Sequence, residues 1–410
     1  MKALFIISLL IIPLLLIVFR PEHKPNTLIT LERVERAGYA CETYEIFTKD
    51  GYGLSIFRIG NSKANRSGRS SSTTAPQSKP VVLLMHGITS SSDVWVIEGL
   101  ANPLAYDLVD QGYDVWLGNS RGNAYGLRHL NMSSEDRQFW RFTFHEIGTI
   151  DLPDIIDFIL KQTHETSLHY VGYSQGTSIG FVLLSTQPQY NMKFKTINML
   201  APVVYINHIR TVLKHLAGFV GTYTPLYPFL SDRPMFGSKI LRYLLGIEAC
   251  RSVHANPTFC AFIVHRLFGG YSGYMDKSIL PDLFNSQPTT CSLHQALHFL
   301  QLYHSKQFLQ YDLGPEGNQR RYNQSTPPLY NLSNINPRYP IHLFYSDYDE
   351  YSSKKDAEAL AEILGNRSAT HFIDLEHFAH VDFVWGSNIK EVINKPILEI
   401  INAAEKNSAA

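Results

Sequence analysis

Apolar residues run from Ala3 to Phe19, interrupted by Ser8 and Pro13, with Lys2 ahead of the run and Arg20 behind it. A positive start followed by an apolar stretch is the order of a secretory signal. At 17 residues the run also meets the short limit of a membrane-spanning helix. A cleaved signal over 1–20 is the first reading and a retained signal anchor the second. No other stretch reaches 18 apolar residues, so no transmembrane anchor is expected once the signal is removed.

Further on, ETYEIFTKDGYGLSIFRI alternates polar and apolar positions around Asp50-Gly51, which predicts a β-hairpin. The Ser/Thr-rich stretch 61–80 has no apolar periodicity and reads as a flexible loop. Three short apolar runs, VVLLM (81–85), YDVWL (113–117) and LHYVGY (168–173), read as buried strands, and Ile341–Tyr345 and Thr370–Leu375 as two more. Between them DLPDIIDFILKQ (151–162) has helical spacing, with Pro153 near the start, where proline is tolerated. Strands alternating with helices predict βαβ units and a mostly parallel sheet, an α/β fold. Residues 205–330 break the alternation. They are aromatic-rich and helical in pattern, with Pro and Gly punctuation in TPLYPFLSDRP and LFGGYSGY. The organisation expected is a core over 21–204 and 331–410, with 205–330 inserted as a helical cap above the sheet.

Composition narrows the function. Lys+Arg and Asp+Glu are equal at 36 each and the pI is about 7.3, which excludes a broad basic field for nucleic acid. Hydrophobic residues at 44% and aromatics at 12% exclude wholesale disorder. Four Cys in 410 residues do not make a disulfide-dense scaffold. No Cys-x-x-Cys pair or His-Glu-x-x-His helix occurs, so no metal or cofactor is implied. Asn-x-Ser/Thr sequons at Asn65, Asn131, Asn323, Asn331 and Asn366 fit a secreted glycoprotein.

The chemistry centres on Gly172-Tyr173-Ser174-Gln175-Gly176. It ends an apolar strand and opens the helical run TSIGFVLLS, the strand–turn–helix context of a nucleophile elbow. The glycines let the backbone turn sharply, and Ser174 then projects at a helix N-terminus that favours developing negative charge. A serine hydroxyl needs a base, and in this fold the order along the chain is Ser, acid, His. The loop Ser346-Asp347-Tyr348-Asp349-Glu350 offers Asp347 or Asp349, and His377-Phe378-Ala379-His380 offers His377 or His380. Spacing alone does not choose within either pair. Met85-His86-Gly87-Ile88 follows the VVLLM strand. A close-approaching glycine there would supply an oxyanion hole from the N–H groups of Ile88 and Gln175.

The chain resembles the acid lipase family of α/β-hydrolases, the gastric and lysosomal lipases and their insect relatives. The resemblance rests on GYACETYEIFTKDGYGL, VVLLMHGITSSSDVW, DVWLGNSRGNAYG, FWRFTFHEIGTIDLPDIIDFI, YVGYSQGTS, PPLYNLSNI, LFYSDYDEYSSKKDAEAL and HVDFVWG, in order across about 32–400. It implies Asp349, seven residues before Asp356, as the acid, and His380 in Ala379-His380-Val381-Asp382-Phe383 as the base. It also implies a Cys250–Cys260 disulfide in the cap. Ala379 stands where the family carries Asn, and Ser346-Asp347 where it carries a Gly-rich pair, which leaves Asp347 as an extra carboxylate. The function implied is a secreted or lysosomal serine-dependent lipase. It would hydrolyse ester bonds of triacylglycerol or steryl esters at a lipid–water interface, through an acyl-enzyme and without a cofactor. An esterase of small soluble esters is the alternative. A non-catalytic lipid-binding protein would be expected to have lost Ser174.

Overall fold

The computed structural model describes residues 29–62, 79–211 and 232–409. The signal-like run, most of the Ser/Thr-rich loop with Asn65, and the first eight residues of TPLYPFLSDRP lie outside the described residues. A mixed, mostly parallel sheet organises the rest. Its strands are β1 (Tyr39–Phe47), β2 (Tyr52–Ser62), β3 (Val81–Met85), β4 (Asp114–Leu117), β5 (Arg128–His129), β6 (Leu168–Tyr173) and β7 (Phe194–Leu200). A pair inside the insertion, β8 (Pro234–Met235) and β9 (Cys291–Ser292), stands apart, and β10 (Ile341–Ser346) and β11 (Ser368–Ile373) complete the sheet. The order is β1-β2-β4-β3-β6-β7-β10-β11, with β5 beside β2. The hairpin forms where the alternation placed it, with β1 antiparallel to β2 and the turn closed by Gly51 N–H donating to the Thr48 carbonyl. β2 is antiparallel to β4, and every pairing from β4 to β11 is parallel.

The period-two rule explains why the central strands read as continuous apolar runs: both faces are covered. Along β3, Val81, Leu83 and Met85 enter one buried cluster, with Ile156 and Ile159 of the helix Leu152–Thr163 and Phe181 and Val182 of the helix Gln175–Thr186. Val82 and Leu84 enter the opposite cluster with Leu104 and Leu108 of the helix Leu104–Asp110 and with Ile397 and Ile401 of the C-terminal helix Lys395–Ala409. Tyr170 and Val171 divide between the two faces in the same way.

The insertion is built mainly of helices, including Lys239–Leu244, Pro257–Leu267, Leu280–Ser286, Leu293–Ser305 and Gly314–Tyr322. Two departures from the sequence expectation stand out. The pair β8–β9 lies inside a segment with no strand pattern, because two-residue strands are too short to carry a period. The last strand is Ser368–Ile373 rather than Thr370–Leu375. As an edge strand with one neighbour it is only part-buried, so no apolar run marks its ends. The insertion is not a separate globule: Ile247, Cys250, Cys260, Ile263, Leu280 and Phe284 share the second cluster with the sheet. Cys250 and Cys260 form a disulfide with Cα atoms 5.6 Å apart, while Cys41 and Cys291 remain thiols. Asn131, Asn323, Asn331 and Asn366 are all exposed.

Candidate active site

Ser174 closes β6 and precedes the helix Gln175–Thr186 with φ 53° and ψ −118°. A non-glycine residue in that region costs on the order of 1–3 kcal/mol and persists only where neighbours over-determine it. Here they do. Ser174 N–H donates to the Leu200 carbonyl at 3.0 Å, and its own carbonyl accepts from the Thr177 N–H at 2.8 Å and hydroxyl at 2.6 Å. The flanking glycines are required by space. A side-chain carbon on Gly172 would lie 2.7 Å from the Gly176 carbonyl oxygen, and one on Gly176 would collide with that of Met85.

The other two groups come from the turns after β10 and β11. His380 Nε2 stands 2.9 Å from Ser174 Oγ, and His380 Nδ1 stands 2.7 Å from Asp349 Oδ2. The second carboxylate oxygen, Oδ1, accepts from the N–H groups of Tyr351 and Ser352, both at 2.8 Å. Asp349 is fully buried, and Ser174 and His380 keep 8% and 4% of their surface, enough to open the hydroxyl to a substrate while holding its partners in a dry site. Of the two sequence alternatives, Asp347 is exposed, with its carbonyl accepting from the Arg210 guanidinium. His377 is half exposed beside Glu376, with its ring against Tyr271 and Tyr348. Neither reaches Ser174.

Gly87 lies close against Ser174: a side-chain carbon there would lie 3.0 Å from Ser174 Cβ and 3.4 Å from its Oγ. Gln175 occupies the first position of its helix, where the N–H has no intrahelical acceptor. Among the described residues neither the Gln175 nor the Ile88 N–H donates a hydrogen bond to protein. Ser174 is thus bordered by the Gly87-Ile88 peptide on one side and by the start of the Gln175–Thr186 helix on the other.

Several groups around the site had no assigned role in the sequence reading. Tyr173 donates to the His380 carbonyl at 3.0 Å, and burial pushes its phenol pKa well up, keeping the proton on it. From the insertion, the Leu267 carbonyl accepts from Tyr351 Oη at 2.9 Å, and the Gly269 carbonyl accepts from the Glu350 N–H at 3.3 Å. A side-chain carbon on Gly269, whose φ is +96°, would lie 2.7 Å from His380 Cβ. Asp382 accepts from the Ser272 hydroxyl at 2.5 Å and from the Ala379 N–H at 2.7 Å. The insertion is therefore fastened to both the acid and the base turns. The Gly269-Gly270 pair was the available signal, but it read only as punctuation. Below the site, Arg121 of the Gly-Asn-Ser-Arg-Gly-Asn block is buried between Asp50 and Asp151 and over the Tyr52 ring, a structural use of that block. Among the described residues no group of three or more His, Cys, Asp and Glu is placed to hold a metal ion.

A strained elbow serine, then an acid, then a histidine, in this chain order on this sheet, is the arrangement of the α/β-hydrolase class. Residues 80–384 match the family described as the alpha/beta hydrolase fold, and residues 30–99 match the partial alpha/beta-hydrolase lipase region. The chain is 34% identical to Lipase 3 of Drosophila melanogaster over 376 residues, covering 91% of this chain and 93% of that one. It is 34% identical to the gastric triacylglycerol lipase of Bos taurus over 378 residues, 90% of each. Among solved structures, a bacterial membrane phospholipase A aligns over 99% of both chains with TM-score 0.50 and 15% identity, a likeness of fold. The chain belongs to the lipase family of α/β-hydrolases and is a carboxylic-ester hydrolase.

Proposed function

We propose that this chain hydrolyses triacylglycerol at a lipid–water interface, with Ser174 as nucleophile, His380 as general base and acid, and Asp349 as the group that orients the imidazole. The relay Ser174 Oγ–His380 Nε2, His380 Nδ1–Asp349 Oδ2 carries the reading. In the first half-reaction Ser174 Oγ attacks the ester carbonyl as His380 Nε2 takes its proton. The N–H groups of Ile88 and Gln175 hold the oxyanion. His380 then protonates the departing glyceride alcohol, leaving an acyl-enzyme. In the second, water attacks the acyl carbonyl through the same base and releases the fatty acid. Asp349 stays ionised, stabilising the imidazolium and fixing its tautomer.

Support for a lipid partner comes from the insertion. Tyr243 and Leu244, on the helix Lys239–Leu244, are 74% and 69% exposed, and Phe259 and Phe262, on the helix Pro257–Leu267, are 49% and 53% exposed. The Phe259 ring lies in the space a side chain on Gly246 would take, so the ends of the two helices meet, and the insertion exposes apolar side chains on both. Such exposed apolar surfaces mark protein or membrane contacts. A disulfide persists in an oxidising compartment, which agrees with secretion, the lysosome being the alternative, and with glycans on the exposed sequons.

The test is initial rate against acyl length, below and above the solubility limit. Long-chain triacylglycerol should be turned over faster than short soluble esters at equal ester concentration, with a rise where aggregates form. Preference for acetyl or butyryl esters, with no change at the limit, would make the protein a soluble esterase.

A further inference from the structure

His86 lies two residues before Ile88 and is 2% exposed. Its Nδ1 stands 2.7 Å from the carbonyl oxygen of Gly87. A carbonyl only accepts, so Nδ1 carries the proton and Nε2 is the bare acceptor. The other side of the ring agrees: Nε2 accepts from the Ser120 N–H at 3.3 Å and meets the Asn123 Nδ2 at 3.1 Å. Burial lowers the imidazole pKa to about 4, against the Gly87 contact, which raises it. The ring is neutral, in one tautomer, and held from both sides.

The Gly87 carbonyl and the Ile88 N–H belong to one planar trans peptide, in which C=O and N–H point in opposite directions. Whatever holds the carbonyl therefore aims the N–H. Gly87 lies against Ser174, so the peptide being aimed borders the nucleophile. At its far end the loop is pinned again: Thr89, with φ +55°, accepts at its carbonyl from the Thr289 N–H of the insertion at 2.8 Å.

We infer that His86 is a positioning residue for the hydrolytic reaction, holding the Gly87 carbonyl so that the Ile88 N–H faces the developing oxyanion. This rests on the Ser174 reading proposed above. The imidazole touches neither substrate nor nucleophile. It acts through one peptide plane, and its contribution grows as negative charge gathers on the oxygen, so the transition state feels it more than the bound ester does.

The experiment compares His86→Leu, which removes the donor, with His86→Asn, whose amide nitrogen sits near the place of Nδ1. Rates are normalised to sites titrated to completion with a fluorophosphonate, so partial unfolding does not imitate a catalytic loss. His86→Leu should lower kcat on the order of 10²-fold with KM nearly unchanged, the scale of one oxyanion donor. It should weaken an alkyl boronic acid, which binds as a tetrahedral adduct, by a similar factor. His86→Asn should recover most of both. If the Leu variant does not fold, Asn123→Ala, which loosens the ring from its far side, should show the same split to a smaller degree. A His86→Leu variant with near-normal kcat, or equal losses in kcat, KM and boronate affinity that Asn does not repair, overturns the inference. Ser174→Ala belongs in the same series. If it still hydrolyses ester, the reading of the site fails; if it is inactive while His86→Leu is not, only the role of His86 fails.

Discussion

Ser346 Oγ donates to the carbonyl of Phe378 at 2.6 Å, tying the turn that carries Asp349 to the turn that carries His380. Both residues are buried. The bond joins the end of β10 to the turn after the neighbouring parallel strand β11, where Asp349 and His380 must keep one spacing.

That spacing makes Asp349 the informative carboxylate. Asp349→Asn should lower kcat by about 10³–10⁴-fold, the loss expected when the group that fixes the imidazole tautomer is neutralised. Asp347→Asn should change kcat little. The check is steady-state kinetics of both variants on one substrate, and a larger loss at Asp347 would reassign the acid.

The base is tested in the same way. His380→Ala should abolish turnover nearly as completely as Ser174→Ala, because members of such a relay act as a unit. His377→Ala should leave activity nearly intact, since that ring packs edge-on against Tyr271 and Tyr348 outside the relay. Survival of the His380 variant together with loss of the His377 variant would reverse the assignment.

Asp382 predicts a pH effect on stability. Burial, with the Asp349 carboxylate adding to it, lifts its pKa from 3.8 to about 7, against the hydrogen bonds from Ser272 and Ala379. The folded protein therefore holds this proton more tightly than the unfolded chain does. The resulting stability is fully present below about pH 4 and is lost as pH rises through about 7. Between pH 4 and 7.5, the Tm of the wild type should fall relative to that of Asp382→Asn. Parallel Tm curves would show that the carboxyl is not held protonated.

The exposed apolar side chains of the insertion predict a separation of substrates. Leu244→Asp combined with Phe262→Asp should slow hydrolysis of emulsified triacylglycerol about tenfold or more, since each exposed apolar side chain stands to gain about 1.5–3 kcal/mol on entering lipid. Hydrolysis of a soluble short-chain ester should be nearly unchanged. Equal losses on both substrates would mean that these side chains serve folding rather than docking.

The parts of this architecture written locally were the legible ones. The hairpin at Asp50-Gly51, the apolar runs of β3 and β6 and the glycine-flanked Ser174 each express a local rule, and each forms where the rule places it. The choice between Asp347 and Asp349, or His377 and His380, was not local. It depends on which side chain turns inward from a turn, and that is set by bonds such as Tyr351 and Ser352 N–H to Asp349. Family resemblance supplied the choice where spacing did not. Arg121 was illegible for the same reason: its partners Asp50 and Asp151 lie 71 and 30 residues away. Gly269 was visible as a glycine, but its reason, the closeness of the His380 side chain, exists only in the folded chain.

The central claim is that Ser174 is the nucleophile of a lipid-ester hydrolase. Its most direct test is labelling the folded protein with an alkyl fluorophosphonate, identifying the modified peptide, and following triacylglycerol hydrolysis in the same samples. One adduct per chain on Ser174, formed in step with the loss of hydrolysis and absent from Ser174→Ala, is the predicted result. An adduct on another residue, or hydrolysis that persists after Ser174 is fully labelled, would contradict the claim.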